Sequence, residues 1–477
     1  MDFQTLTKEE LLSRVPDDAP QRLKVNWNKP TRRWYYFVSS YSYSAERKRS
    51  IEQRTTVGYL DENGKFVYTP HYLLLRQAHA GATSPEVQQT VSEIREQCRQ
   101  ELKDTRKDFL VVYPIDIIFV VAMLASLSGA NSAVQIADYW KAHRQFLSSL
   151  FNDFPEQDIS HDSVRRVLML HQRKAFEKLL ETFVARFVKR IGTRIVNVDG
   201  QMVRATKNKT EDKDGRYLVS FHDSDNDITL CQLVVEEKTN EIPTAQAMLE
   251  NLDLSDCVVT GDAMHTQVKT ASLILKQGGN YCLAVKANHE QLRTYLELYF
   301  ERPGSTIQTH TFTDQAHGRE EVRVVSVLAG ALLPTSVTKP WPGLEEGTIV
   351  RVQAYRREKS SQTEMHAVRY YISSVPWETP ACCLKHAHFV RRHWAIENEL
   401  HHVLDVNMMQ DAIQCKNATY LSNRTCLIKL ANNVHSKYRQ WLEKNENTTF
   451  SKARLLKMLA NPENALTALK VAFSQYT

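Results

Sequence analysis

The residues best placed to do chemistry are three carboxylates on three separated segments. Arg194-Ile195-Val196-Asn197-Val198-Asp199-Gly200 reads as an apolar strand that stops on an aspartate. Val258-Val259-Thr260-Gly261-Asp262 is a second short strand with the same ending, and His393-Trp394-Ala395-Ile396-Glu397-Asn398 is a helical segment carrying a glutamate. Such side chains are rigid oxygen ligands of the kind Mg²⁺ takes together with waters and substrate phosphate. Two such ions about 3.5–4 Å apart would neutralise the attacking and leaving oxygens of a phosphodiester and activate the nucleophile. Asp199, Asp262 and Glu397 are therefore read as one divalent-metal site for cutting and joining DNA. Singly each is ordinary. Asp199 could cap the next turn, Asp262 could cap a helix starting near His265, and Glu397 could be one more surface charge.

The glutamate segment carries a second pattern. His393, Glu397, His401 and Asp405 recur every four residues, which places them on one helix face. A His-Glu-His stripe could also hold zinc. Two aspartates at strand ends favour a harder, oxygen-preferring ion. Glu399 is a nearby rival to Glu397 but lies off that face. Lys286, just after a strand, could touch phosphate. His265 and His393 could orient a carboxylate or a water, and Arg319 and Arg323 could hold DNA. Each of these could equally be an ordinary surface or helix-polar position.

The elements that must position these groups follow from the pattern. Residues 1–108 lean towards strand. Arg33 to Val38 is aromatic and β-favouring, and Asp61-Glu62-Asn63-Gly64 is a hairpin signal between Thr55–Leu60 and Lys65–Tyr68. Lys29, Arg32, Arg33, Arg47, Lys48 and Arg49 interleave with Trp34, Tyr35, Tyr41 and Tyr43, a mix suited to phosphate and base contact or to a plain β accessory domain. Ser84-Pro85-Glu86 opens a connector helix. Residues 109–192 read as helical. From 193 to 412 the order is three strands, helix, strand, helix, strand, then a β insertion at about 303–376 and a closing helix. That order predicts an α/β fold, a mixed sheet flanked by helices. Residues 413–477 read as a basic helical tail.

Composition excludes some classes. At 477 residues, 42% hydrophobic and 24% charged, the chain is globular and of several domains. Eight cysteines form no CxxC pair, which predicts reduced thiols and no structural zinc. No signal peptide is read at the polar N-terminus, and Phe109–Gly129, broken by Pro114 and Asp116, reads as a buried helix rather than a membrane span. The net charge is +6, but Gln21–Arg54 holds nine Lys/Arg against two Glu, and Ala412–Thr477 ten against three. Two basic flanks around a more acidic centre suit a polyanion held at the edges and metal in the middle, or simply solvated faces.

These residues resemble the DDE transposases of the H-repeat-associated (ISAs-type) insertion-sequence family, from about Tyr113 to Ala431. The resemblance runs through Leu127-Ser128-Gly129-Ala130, Val198-Asp199-Gly200, Glu237-Lys238-Thr239-Asn240-Glu241-Ile242-Pro243 and Thr260-Gly261-Asp262-Ala263-Met264. It continues through Leu283-Ala284-Val285-Lys286-Ala287-Asn288, His317-Gly318-Arg319 and His393-Trp394-Ala395-Ile396-Glu397-Asn398 to Asp411-Ala412. It implies an RNase H-like catalytic domain, a metal-binding triad of Asp199, Asp262 and Glu397, and Mg²⁺-dependent cutting and joining at element ends, with Mn²⁺ able to substitute. Implied partners are DNA, both element ends and target, and a second copy in a homodimer on DNA. No membrane and no small-molecule substrate are implied, and the implied compartment is the bacterial cytoplasm at the nucleoid. The chain departs from the family at Gln201, His402 and Gln410, where Lys, Trp and Glu are usual. Two other classes stay open: a DNA-binding derivative without catalysis, and a nuclease that cuts without joining.

Overall fold

The structure is a computed structural model. It describes residues 5–474 except 17–18, 21–22, 45–48, 71, 74–84, 108–110, 171–172, 188–193, 208–214, 236–240, 303–306, 317–318, 359–363, 379–381, 395, 416 and 447–448.

The N-terminal strands β1 (Lys24–Asn28), β2 (Arg33–Ser44), β3 (Arg49–Leu60) and β4 (Phe66–Tyr68) form an antiparallel meander in the order β1-β2-β3-β4. The Asn-Gly signal is its last hairpin. Gly64 takes φ 73° while the Asp61 carboxylate accepts from the Asn63 and Lys65 amides at 2.9 and 2.8 Å. The sheet has its own small core of Leu11, Tyr36, Val57, Leu60 and Phe66.

The second sheet has nine strands in the order β10-β11-β12-β13-β9-β8-β5-β6-β7. Strands β5 (Arg194–Val203), β6 (Arg216–Asp223) and β7 (Ile228–Val235) are antiparallel neighbours. Strands β8 (Cys257–Gly261) and β9 (Asn280–Val285) then run parallel to β5. The predicted insertion is a sheet extension. Strands β10 (Gln308–Ala316), β11 (Arg319–Ala329), β12 (Thr348–Glu358) and β13 (Glu364–Ser373) continue it antiparallel, with Tyr371 opposite Ala284.

Strand alternation sorts the side chains onto two faces. Val196, Val198, Val259 and Leu283 pack with the core beside helices Glu241–Leu249, Val268–Lys276 and Glu290–Glu301. Ile195, Val258 and Cys282 face the other way, onto helix Cys382–His393, here called the crossing helix.

The helices from Pro85 to Phe187 form the largest core. Helix Ile115–Leu127 is buried along its whole length, as a helix apolar all round must be. Its one charge, Asp116, is met by Arg95 at 2.6 Å and Arg99 at 2.7 Å. Among the described residues no helix is long and apolar enough to cross a membrane.

The C-terminal segment overturns its reading as a basic tail. Helix Ala418–Glu446, the central helix, runs through the core and packs against helices Ile115–Leu127 and Arg173–Phe187 and strand β7. Arg424, Lys429, Lys437, Lys452 and Lys470 are all buried, which removes half of that segment's basic residues from any DNA surface. Arg424, for example, donates to the Ser126 hydroxyl at 2.8 Å, so its charge serves the packing of two helices. All eight cysteines are buried thiols outside any disulfide.

Candidate active site

Strand β5 does not stop at Asp199. Its antiparallel pairing with β6 continues to Val203, whereas its parallel pairing with β8 ends at Val198 opposite Gly261. Asp199 and Asp262 are the next residues on each side. They sit where the parallel pairing opens, one step past its last pair and level with each other on strands about 4.8 Å apart. Alternation puts both on the face covered by the crossing helix.

The crossing helix is tied to the same two strands two residues earlier. Asn197 donates through Nδ2 to the Thr260 hydroxyl at 2.7 Å and to the Arg392 carbonyl at 3.2 Å. The Thr260 hydroxyl also meets His393 Nδ1 at 3.1 Å. Two strand residues thus fix the helix end that leads to Glu397. An Asn inside an otherwise apolar strand was the available signal for this, and the residue reading passed over it.

The chain beyond His393 corrects the four-residue stripe. Ile396–His401 and Val403–Asn407 are π-helical, and their wider turns rotate residues four apart away from one another. His393 is therefore engaged with Thr260, while His401 Nδ1 lies 3.5 Å from Asp199 Oδ2. Burial pushes His401 down to about 3 and His393 down to about 4, so both are neutral at pH 7 and His401 is no ion-pair partner of Asp199. His265 is fully buried beside Asp262, with neither ring nitrogen hydrogen-bonded. Among the described residues, His393, Glu397 and His401 do not form a group with ligand atoms within 4.8 Å of one another, and neither do Asp199, Asp262 and Glu397.

The three carboxylates do share a field. Burial raises the Asp199 carboxyl to about 7, opposed by the Gly200 amide, with further upward pressure from Asp262, Glu397 and Glu241. Glu397 is also raised by burial, and there Arg369 and Lys286 act against the shift while Asp262 adds to it. Lys286 thus stands in the site's field at the end of β9. Glu399 stands elsewhere, held by Arg392 at 3.0 Å.

A cavity of about 310 Å³ opens between the crossing helix and the extension strands, with Arg323, Arg369, Arg391 and Trp394 on its wall. Arg369 lies 4.8 Å over the Trp394 ring, and Arg323 is paired with Glu321 at 2.7 Å. Of the other proposed DNA contacts, Arg32 is exposed at φ 51°, and Arg33 stacks 5.1 Å over Tyr59. Arg319 pairs with Glu358 in the β11–β12 register, its side chain outside the described residues, and Lys48 lies outside them altogether.

A trio of His222, Asp227 and Glu399 does bring its ligand atoms within 4.8 Å of one another. It is already occupied by cations of the chain itself. Lys452 Nζ lies 3.0 Å and Arg439 3.4 Å from Asp227, and Ser436 donates to it at 2.8 Å. Asp223–Asp227 is the turn between β6 and β7. It is the clamp that joins the sheet to the central helix.

Two family departures meet in space. Gln410 donates through Nε2 to Gln201 Oε1 at 3.4 Å, so the usual Lys and Glu are replaced together by a neutral amide pair. Gln410 is buried, and its partner Gln201 hydrogen-bonds Asp405, whose carboxyl burial and Asp411 push up to about 6. Gln410→Glu alone should therefore lower the melting temperature, and adding Gln201→Lys should restore it. The expected coupling in a double-mutant cycle is about 0.5–3 kcal/mol; additive effects would show that the two positions do not act as a pair.

Comparisons with known proteins place the chain in a family. The family model described as Transposase DDE domain matches residues 190–434, and one described as DDE_Tnp_1-associated matches 97–184. Escherichia coli K12 YbfL is 29% identical over 319 residues, covering 66% of this chain and 82% of its own. The H repeat-associated YhhI of the same organism is 28% identical with the same coverage. A piggyBac transposase synaptic complex with hairpin DNA covers 83% of this chain and 80% of its own, at TM-score 0.40 and 11% identity, too distant to carry an argument. With the DDE domain matched over half its length, the chain belongs to the DDE transposase family, as an insertion-sequence transposase.

Proposed function

We propose that Asp199, Asp262 and Glu397 are the catalytic carboxylates and that they hold Mg²⁺, or Mn²⁺ in its place. The observation that carries this is the register. Two aspartates stand side by side where parallel strands part, and the helix end leading to the glutamate is pinned to the same strands and face by Asn197 and Thr260. The donors are hard carboxylate oxygens, which suits a hard divalent ion. When bound, such ions supply Lewis-acid stabilisation of the attacking and leaving oxygens and a more acidic water. The strand order β7-β6-β5-β8-β9, three antiparallel strands followed by two parallel ones, supports an RNase H-like core.

In this reading water attacks phosphorus at an element end, the P–O3′ bond breaks, and a 3′-hydroxyl and 5′-phosphate are released. That hydroxyl then attacks a target phosphorus, forming a new phosphodiester as the target's own P–O3′ bond breaks. Lys286, Arg369 and Arg323 line the approach to Glu397 and hold backbone phosphate; Arg32 and Arg33 extend the basic surface on the N-terminal sheet. Two protomers bring two ends together, in the bacterial cytoplasm at the nucleoid.

The test is a strand-transfer assay with Mg²⁺ and DNA carrying the terminal repeats of the element that encodes the protein. Joined product is expected. Cutting without joining would leave a nuclease, and binding without cutting a non-catalytic derivative.

A further inference from the structure

The site has a fourth carboxylate. Glu241 is the first residue of helix Glu241–Leu249 and is 1% exposed. Its carboxylate lies directly over Gly200. A Cβ at position 200 would sit 2.5 Å from Glu241 Cδ and 2.9 Å from Oε1. Gly200 does not have a positive φ, so what glycine supplies there is space rather than backbone freedom. The residue after Asp199 lacks a side chain, and a buried carboxylate fills the gap. Glu241 is close enough to Asp199 for its charge to act on it together with those of Asp262 and Glu397.

Four acidic groups drawn into one partly buried region oppose one another unless a cation joins them. Residues adjacent to the direct ligands of a metal typically set its affinity by about 10–100-fold. We propose that Glu241 is a positioning residue of the divalent-cation site, strengthening cation binding by Asp199, and that Gly200 is required because any side chain there displaces it. This rests on the metal-site reading given above.

The test is Mn²⁺ binding to the full-length chain, followed by the loss of the free-ion signal in electron paramagnetic resonance. Glu241→Gln and Gly200→Ala are each expected to raise the Mn²⁺ Kd at least about tenfold. Glu241→Asp, which keeps the charge but shortens its reach, should fall between parent and Glu241→Gln. An unchanged Kd in Glu241→Gln overturns the proposal, as does a lower metal-free melt with the Kd intact, which marks a structural glutamate only. If Glu241→Gln does not fold, Gly200→Ala and Glu241→Asp carry the same test. Asp199→Asn separates the two readings. Mn²⁺ binding that survives Asp199→Asn defeats the metal site itself, whereas loss there with an unchanged Glu241→Gln defeats only the role of Glu241.

Discussion

Asp199→Asn should abolish Mg²⁺-dependent cleavage of element-end DNA while leaving DNA binding in place. The substitution keeps shape and removes one charge from the parting point of β5 and β8, where Asp262 alone cannot hold an ion in position. Losing several kcal/mol of transition-state charge stabilisation corresponds to a rate loss on the order of a thousandfold or more. The basic groups proposed to hold phosphate, Arg369, Arg323, Arg33 and Arg32, are untouched, so affinity measured by fluorescence anisotropy at fixed salt should stay within about twofold. The variant should also fold. Burial and the neighbouring carboxylates raise Asp199 to about 7, so its charge works against the metal-free structure, and the variant should melt no lower than the parent at pH 8. Cleavage retained within tenfold of the parent would sink the assignment of Asp199. Cleavage lost together with the melt would mean that the fold, not the chemistry, had been tested.

The largest stability effect is expected at Asp227. This carboxylate is 4% exposed, in the turn between β6 and β7, at φ 53°. Burial acts to raise it, but Lys452, His222 and Arg439 outweigh that and hold it below the usual carboxylate range. Burial lowers His222 to about 4, so at neutral pH the effective counter-charges are Lys452 and Arg439. Lys452 also donates to the Glu399 carbonyl at 3.2 Å and to the Asn432 side chain at 3.3 Å. One buried pair therefore ties the sheet, the π-helical segment that carries Glu397 and the central helix together. Asp227→Asn keeps a residue that tolerates positive φ but leaves the buried Lys452 without its carboxylate. Breaking such a pair from one side costs about 3–5 kcal/mol, readable as a loss of unfolding free energy in urea. The pH dependence has a definite sign. Because the folded pKa of Asp227 is depressed, its contribution is complete above the unfolded value of about 3.9 and is lost as pH falls through the folded value. The gap between parent and variant should be full at pH 7 and close below about pH 4. A gap that is absent at pH 7, or that widens in acid, would contradict this account.

Much of the chemistry was legible along the chain because strand and helix periodicities are local. Apolar runs ending near Asp199 and Asp262, the Asn-Gly hairpin and the three-strand start of the second sheet all follow from neighbouring residues, and the structure contains each. The family resemblance rested on ordered short motifs, which need no tertiary information. What periodicity could not show was which long-range contacts take up a charge. The ten Lys/Arg of the C-terminal segment read as a basic surface because nothing local says that Arg424 meets Ser126 or that Lys452 meets Asp227. The regular four-residue stripe from His393 read as one helix face, but packing against Thr260 and Asp199 goes with π-helical turns that divide it. Glu241 was visible within a motif and had no assigned place, since its relation to Gly200 spans about forty residues and two elements. Sequence alone determined which residue types could bind a hard cation and which family the chain resembles. Only the tertiary structure decided which charges face the site and which are spent inside the core, because burial and partner choice are properties of the packed chain rather than of any one segment.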